Sequence, residues 1–287
     1  MREHRLQIGP RAVVLVEGPA GWGECSPIPG YPCDRTQARR AAVEAATEGF
    51  PPARRPEVAV NALVDATDEI GAPLAERLAP YGCVKIKVGR AAPDEDVARV
   101  GAVRDLVGPH VALRIDANGA WDVDTALDTL ARLARLGVVL AEQPVASLAD
   151  LARVRRSSAV PVAADECVRS IDDARELRRS AAADAIVLKV QPLGGVRAAL
   201  AIAEAAAVPA IVSSLLETSI GLAAGVALAA TLEPAPLACG LATLDRIEGD
   251  VVRQPLTPRG NVIAVPDRYP VPDPALLARY ASPASLS

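Results

Sequence analysis

Aromatic side chains are nearly absent from this 287-residue chain, since Phe, Tyr and Trp together make up 2% of it. Apolar residues still account for 51%. A sizeable core can therefore form, but Ala and Val have to fill it, which favours closely packed helices and strands. The length fits one large domain or a barrel with a small companion domain.

Cysteine is scarce as well, and its pattern argues against two kinds of stabilised small domain. The count is odd, and no two cysteines are spaced as CxxC. Structural zinc and a disulfide scaffold are therefore poor interpretations, and we expect free, mostly buried thiols in a reducing cytoplasm. The cysteines are Cys25, Cys33, Cys83, Cys167 and Cys239.

The sequence also lacks an excess of positive charge and a long hydrophobic run. The net charge is −4 and the pI is about 5.4, so neither nucleic acid nor an anionic membrane is an expected partner. No apolar run follows Met1 as in a signal peptide, and the longest apolar stretch, 220–232, is too short to span a bilayer. We expect a soluble, cytoplasmic protein.

From about residue 57 the chain repeats one theme, in which a short β-branched run precedes a polar turn and an Ala/Leu-rich helical stretch. Asp94, Asp122 and Ser147 are plausible helix N-caps. Strands are predicted at 58–63, 84–88, 111–115, 138–141, 161–164, 185–190, 210–213 and 237–240, and helices at 94–107, 123–136, 147–156, 170–179 and 196–206.

Eight strands alternating with helices predict an α/β protein with a (β/α)8-type barrel, a modified TIM barrel, over residues 57–244. A doubly wound open sheet is the alternative, but no GxGxxG or Walker A loop follows the first strand. Residues 1–56 read differently, with strands at 6–8 and 12–17, a turn at 21–24 and a helix at 36–48. Together with the Pro-rich tail 245–287, which carries a helix at 274–280, they predict a small α+β capping domain.

Ionisable side chains recur at the ends of successive predicted strands, where barrel enzymes carry their active sites. Each step along the chain is one strand–helix unit, so each side chain advances by one strand around the same rim. The residues are Lys85 and Lys87 on the second strand, Asp116 after the third, Glu142 after the fourth, Asp165 after the fifth and Lys189 in the sixth.

Three carboxylates without His or Cys predict a site for a hard cation, Mg²⁺ with Mn²⁺ as a substitute. A single Asp after a strand is usually an N-cap or turn residue. If Asp116 were the only carboxylate in the pattern, it would be interpreted in this way. Carboxylates on three successive strands, flanked by lysines, are difficult to explain by capping. The two histidines, His4 and His110, lie outside this pattern and are assigned to the surface or to packing.

Strand alternation points Lys85 and Lys87 to the same face, with Ile86 opposite. Two buried ammonium groups need compensating anions, which the carboxylates and a substrate carboxylate can provide. A lysine beside a divalent cation and another lysine loses its proton more readily, which suits a general base. Lys189, on strand six, approaches from roughly the opposite side of the barrel.

A set of short motifs resembles the enolase superfamily and, within it, the muconate-lactonizing subgroup. Their order is that of the superfamily, and they cover nearly the whole chain. The motifs are the KxK stretch 84–89, 114–118, 142–144, 164–166, 187–189, 21–24 in the cap and 213–221 on strand seven.

The resemblance implies roles for these residues. Asp116, Glu142 and Asp165 would bind Mg²⁺, and Lys87 and Lys189 would be the acid/base pair. Further residues would assist: Lys85 as an electrostatic helper to Lys87, Asn118 and Glu166 as supports behind the ligands, and Arg114 beside the site.

Members of the subgroup racemise, epimerise, cycloisomerise or dehydrate small carboxylates. The short chain, the reduced cap and the strand-seven sequence resemble those of the members that dehydrate a succinyl-hydroxycyclohexadiene carboxylate through an enediolate in menaquinone biosynthesis, and the resemblance implies such a carbon–oxygen lyase. By resemblance, Ser213, Ser214 and Gly240 would contact the succinyl tail. Loop 28–31 is a candidate for further substrate contacts. Lys189 would either transfer protons or only stabilise charge.

The alternative activity is that of an N-acylamino acid racemase or a dipeptide epimerase, in which both lysines alternate as acid and base. Segment 238–243 lacks the Asp-rich motif that a dipeptide epimerase usually carries after strand eight. A non-catalytic barrel is disfavoured because every ligand and lysine position is filled. Some short members of the subgroup are monomers, so a monomer is compatible with the resemblance, but the sequence does not determine the oligomeric state.

Overall fold

The computed structural model describes residues 1–282, so the last five positions of the predicted cap segment 245–287 lie outside the described part. The chain forms two compact units. The first contains Met1–Ala59, Leu188–Ala201 and the residues from Val212 on, and the second contains Val60–Val187 and Ile202–Ile211. The predicted domain boundaries near residues 56 and 245 stay a prediction, because a compact unit need not coincide with a segment that folds on its own.

Strands and helices alternate through most of the described chain. The strands are β1 (Arg2–Ile8), β2 (Arg11–Gly18), β3 (Gly21–Cys25), β4 (Glu57–Ala59), β5 (Ala62–Val64), β6 (Cys83–Lys87), β7 (Ala112–Asp116), β8 (Val138–Glu142), β9 (Val162–Ala164), β10 (Ala185–Leu188), β11 (Ala210–Val212) and β12 (Val262–Ala264). The helices are α1 (Arg35–Glu48), α2 (Ala72–Leu78), α3 (Pro93–Val107), α4 (Val123–Ala134), α5 (Leu148–Ser157), α6 (Ile171–Ser180), α7 (Val190–Leu193), α8 (Val196–Ala206), α9 (Ser219–Thr231) and α10 (Pro274–Tyr280).

The first unit begins with an antiparallel sheet in the order β1-β2-β3, against which α1 packs. The buried face of α1 consists entirely of alanines, Ala38, Ala41, Ala42, Ala45 and Ala46. A Cβ atom on Gly23 of β3 would clash with the backbone carbonyl of Ala42. Helix and strand therefore approach closely because both surfaces carry minimal side chains, as expected for a core poor in aromatics.

The parallel sheet has the strand order β11-β10-β9-β8-β7-β6-β5. Its residues belong to the second unit except for Leu188, the last residue of β10, and Val212, the last residue of β11, which belong to the first. Helices α3 to α6 follow successive strands of this sheet. On α4 the residues Ala126, Leu130 and Leu133 are buried at helical spacing, and Asp122 caps the helix by accepting a hydrogen bond from the Thr125 amide. The predicted α/β class with a parallel barrel-type sheet is confirmed.

Several details of the sequence prediction are wrong. The run 58–63 is divided between β4, which pairs antiparallel with β12, and β5, which joins the parallel sheet. In place of a predicted strand at 237–240, the described residues show an isolated bridge between Gly240 and Ser213. Asp94 is not an N-cap, because Pro93 begins α3 and places Asp94 in the first turn, where its charge favours the helix dipole.

The sixth predicted strand also ends earlier than expected. β10 stops at Leu188, and Lys189 is the N-cap residue of the short helix α7 rather than a strand residue. All five cysteines are free, as predicted. Within residues 1–282, no helix combines the length and the apolar character needed to cross a membrane.

Two buried carboxyl groups join β3 to the segment before α9 in the first unit. Glu24 accepts hydrogen bonds from the Ser26 hydroxyl at 2.6 Å and from the Gly221 amide at 3.0 Å. Glu217 accepts from the Leu215 amide at 2.6 Å. Burial, with the neighbouring Glu24 charge, raises the pKa of Glu217 to about 7. Glu217 therefore changes its protonation near neutral pH.

The raised pKa of Glu217 predicts a pH-dependent stability. The folded protein binds this proton more tightly than the unfolded chain, so the stabilisation is complete below the ordinary value of 4.5 and is lost as the pH rises through about 7. Glu217→Gln removes the titrating group. Between pH 4.5 and pH 7 the wild type should therefore lose roughly 3 kcal/mol of its free energy of unfolding that the variant keeps. The figure follows from the rise in pKa, since one pKa unit corresponds to about 1.4 kcal/mol.

Urea unfolding at a series of pH values measures this difference. Glu204→Gln, on the exposed side of α8, is the matched control and should retain the wild-type pH dependence. A Glu217→Gln protein with the wild-type pH dependence would show that another group is responsible.

Candidate active site

The register of the parallel sheet brings the predicted site residues onto one face. Lys87 pairs with Asp116, and Asp116 pairs with Glu142. Glu142 pairs with Ala163, and Asp165 directly follows the end of β9. The side chains of Lys87, Asp116 and Glu142 therefore project from the same face at the carboxyl end of their strands, and Asp165 lies at the same end of its strand.

Lys85 links two of the carboxylates. Its Nζ lies 3.0 Å from Asp116 Oδ2 and 2.9 Å from Glu142 Oε1. Asp116 and Glu142 are 0% and 2% exposed, so these charges are compensated by one another rather than by water. Arg114, also buried, pairs in register with Lys85 and lies on the same face.

Lys87 is less buried than Lys85 and forms a second branch of the network. Its Nζ donates to Asp116 Oδ2 at 2.6 Å and to Asn118 Oδ1 at 2.9 Å. Asn118 in turn donates through Nδ2 to Glu166 Oε1 at 2.8 Å. The residues predicted to act as supports, Asn118 and Glu166, thus connect Lys87 to the loop after β9.

Asp165 is held by a residue for which the sequence pattern suggested no role. Gln143 accepts from the Asp165 amide at 2.7 Å and donates through Nε2 to the Val145 carbonyl at 2.7 Å. Its φ is 40°, in the left-handed region, and its side chain is almost completely buried. The available signal was a long polar residue between a strand-end Glu and a Pro, and the pattern could not reveal its partner.

In the described part of the chain, no group of three or more His, Cys, Asp or Glu side chains is arranged to hold a metal ion. The ammonium groups of Lys85 and Lys87 bond the carboxylates of Asp116 and Glu142 instead. The donor set itself fits a hard cation, because Asp116, Glu142 and Asp165 are buried carboxylates on successive strands. The metal assignment stays a prediction.

One further oxygen supports the fit. Glu166 Oε2 is buried and has no hydrogen-bond partner within residues 1–282. A buried anionic oxygen without a partner is costly, and a cation or its water would satisfy it. The cluster therefore still has acceptor capacity after its lysine bonds are formed.

Lys189 lies in the first unit, and its surroundings there are different. It is 7% exposed, and its Nζ donates to the Tyr31 hydroxyl at 3.1 Å. The same Nζ is 4.2 Å from the centroid of the Tyr31 ring, a cation–π distance. Tyr31 belongs to the predicted contact loop 28–31, but nothing in the sequence pattern predicted this pairing. That Lys189 faces Lys87 across a substrate stays a prediction.

The predicted substrate contacts Ser213, Ser214 and Gly240 lie together in the first unit. Ser213 forms a bridge with Gly240, and the Ser214 amide donates to the Gly240 carbonyl at 3.0 Å. Ser214 Oγ lies 2.8 Å from the Thr243 hydroxyl. A Cβ atom on Gly240 would lie 2.6 Å from Ser213 Oγ, so a larger residue here would force the serine hydroxyl to move. Their contact with a substrate stays a prediction.

Two family models match the chain. Residues 65–269 match the model described as enolase C-terminal domain-like, and residues 2–46 match the one described as enolase N-terminal domain-like. The first match alone covers more than half of the chain.

Two relatives have the same name. An o-succinylbenzoate synthase from Thermobifida fusca is 50% identical over 261 residues, which cover 89% of this chain and 81% of the relative. An o-succinylbenzoate synthase from Mycobacterium tuberculosis is 43% identical over 290 residues, which cover 99% of this chain and 86% of the relative.

Solved structures share the fold at lower identity. A muconate cycloisomerase from Pseudomonas fluorescens superposes with a TM-score of 0.85 at 23% identity, covering 98% of this chain and 97% of its own. An L-Ala-D/L-Glu epimerase from Bacillus subtilis superposes with a TM-score of 0.78 at 24% identity, covering 94% and 95%. The family models match most of the chain, and the relatives are 43–50% identical over nearly all of it. The chain therefore belongs to the enolase superfamily.

Proposed function

We propose that this protein has the activity of an o-succinylbenzoate synthase, a hydro-lyase that dehydrates a succinyl-hydroxycyclohexadiene carboxylate. The observation that carries the proposal is the 50% identity, over 89% of the chain, to a relative of that name. The connected cluster of Lys85, Lys87, Asp116 and Glu142 supports it, because such chemistry needs a base beside a strongly stabilised anion.

Lys87 is the proposed base. In its neutral form Nζ takes the α-proton of the substrate, and the electrons of the broken C–H bond pass into an enediolate. Lys85 has the same orientation two residues earlier on β6, and it bonds the same Asp116 carboxylate as Lys87. Asn118, which accepts a hydrogen bond from Lys87 at 2.9 Å, fixes the direction of the amine.

The second half of the reaction expels hydroxide. The enediolate electrons return to form a ring double bond, the C–O bond breaks, and Lys87 gives its proton to the departing hydroxyl, which leaves as water. The product ring is aromatic, so the main task of the enzyme is to stabilise the anion. Lys189, charged and held by Tyr31, is the proposed stabiliser of that anion.

Asp116, Glu142 and Asp165 are the proposed Mg²⁺ ligands, with Mn²⁺ as a substitute. When bound, the cation would supply Lewis-acid stabilisation of the substrate carboxylate as negative charge builds on it. Lys85 and Lys87 bond Asp116 and Glu142 here, so these carboxylates would hold the cation only if part of those bonds were released.

The wild-type enzyme should prefer dehydration to racemisation. Measured side by side, kcat/KM for the cyclohexadiene carboxylate should exceed that for racemisation of N-succinyl amino acids by at least about 10-fold, or about 1.4 kcal/mol of transition-state stabilisation. The reverse ratio would instead identify the protein as an N-acylamino acid racemase.

Loss of either proposed catalytic lysine should abolish turnover. Lys87→Ala and Lys189→Ala should each lower kcat by roughly 10²- to 10⁴-fold, because the first removes the base and the second removes a charge that stabilises the anion, while Mg²⁺ binding persists. Arg90→Ala removes an exposed positive charge just after Lys87 on the chain and should be close to wild type. Near-wild-type turnover in either lysine variant would contradict the mechanism.

Removal of the cation should be reversible. EDTA should abolish activity and added Mg²⁺ should restore it. Isothermal titration of Mg²⁺ into Asp165→Asn should show an affinity lower by roughly 10-fold or more, because one anionic ligand is lost. Asp172→Asn, on the exposed face of α6, should bind Mg²⁺ as the wild type does. Activity that resists EDTA would refute the metal assignment.

A further inference from the structure

The loop between β3 and α1 is tied to the segment that carries Lys189. The Ser26 amide donates to Gln191 Oε1 at 2.8 Å, and Gln191 Nε2 donates back to Ser26 Oγ at 3.2 Å. At the other end of the loop, Asp34 caps α1 through the Thr36 amide. These anchors fix both ends of the loop within the first unit.

Between its anchors the loop makes a compact turn that presents Tyr31. The Tyr31 amide donates to the Ile28 carbonyl at 3.3 Å, and the Cys33 amide donates to the Tyr31 carbonyl at 2.7 Å. Gly30 has a φ of 84°, in the region that glycine adopts without steric cost. The backbone of Tyr31 is therefore defined on both sides by hydrogen bonds, which limits the positions its ring can take.

The Tyr31 side chain meets the Lys189 ammonium in two ways. The hydroxyl oxygen accepts a hydrogen bond at 3.1 Å, and the ring centroid is 4.2 Å from the same nitrogen. A phenol oxygen and an aromatic face are neutral, yet both attract a cation. Tyr31 can thus hold the charged lysine without adding a negative charge that would repel an anionic substrate.

Lysine is rare in this chain, because the full sequence contains only three, Lys85, Lys87 and Lys189. Tyr31, the aromatic partner of Lys189, comes from a distant part of the sequence. The long, flexible lysine side chain has many rotamers, and an aromatic partner on an anchored loop selects among them.

We propose that Tyr31 is a positioning residue that sets the Lys189 ammonium in the place from which it stabilises the reacting anion. The role of Lys189 in this statement rests on the proposed function, whereas the contact itself does not. The ring provides most of the positioning of the Lys189 ammonium, because the cation–π contact does not depend on the exact place of the Tyr31 hydroxyl. Misplacing a charge by an ångström can cost up to about 10²-fold in rate.

Kinetics of two variants test the proposal. Tyr31→Ala removes both contacts and should lower kcat for dehydration by roughly 10- to 100-fold with little change in KM. Tyr31→Phe keeps the ring and should recover kcat to within about 3-fold of the wild type. Thr36→Ala truncates an exposed side chain at the start of α1, just beyond the loop, and is the control. A raised KM with unchanged kcat in Tyr31→Ala would overturn the proposal and make Tyr31 a simple substrate contact.

Because the chain has three lysines, NMR can observe the contact without any substrate. Protein labelled with ¹³C at lysine Cε should give one signal per lysine, and Lys189→Arg identifies the one from Lys189. In wild type and Tyr31→Phe that signal should carry the upfield shift of a nearby ring on its methylene protons. Tyr31→Ala should abolish the shift while the Lys85 and Lys87 signals stay in place.

The two readouts separate failure of the proposal from failure of the proposed function. A Lys189 signal that does not change in Tyr31→Ala overturns the positioning role, whatever reaction the enzyme catalyses. A wild-type enzyme without synthase activity refutes the proposed function, and the NMR comparison then still decides whether Tyr31 holds Lys189.

Discussion

Mutual compensation of buried charges on one face of the parallel sheet is the constraint on which the rest of the site depends. Lys85 bonds both Asp116 and Glu142, and Lys87 bonds Asp116 again, where almost no water reaches the carboxylates. A buried charge without a partner costs several kcal/mol, so each of these residues requires the others.

Strained backbone at two strand ends arranges the polar groups around this cluster. Asn118 is the second residue after β7 and Gln143 directly follows β8, and their φ values are 46° and 40°. Residues other than glycine rarely adopt this left-handed backbone region, and each such residue costs on the order of 1–3 kcal/mol. In return, Asn118 bridges Lys87 to Glu166, and Gln143 fixes the amide of Asp165. The strain occurs where the chain must turn sharply and still place an amide side chain.

The first unit solves a related problem with different groups. Glu24 and Glu217 are buried together and satisfied by backbone amides and hydroxyls, so no lysine is needed. Gln191 bonds both Ser26 and Glu217, which connects the buried carboxyls to the segment of Lys189. Helix α1 packs closely on β3 because Gly23 and the buried alanines of α1 are small. This packing supports the strand that carries Glu24. Tyr31 adds a neutral partner to Lys189, and Gln191 anchors the same segment by hydrogen bonds.

The sequence by itself determined the class of fold and the residues that share a rim. Strand runs repeat at regular intervals, parallel strands all end on one side, and alternation orients side chains, so Lys85, Lys87, Asp116 and Glu142 could be grouped before any coordinates were known. Local patterns could not give the bridge in place of an eighth strand, the α7 turn at Lys189, the role of Gln143 or the Tyr31 contact. Each of these depends on residues far apart in the chain, and only tertiary packing decides which of many possible polar partners meet at hydrogen-bonding distance.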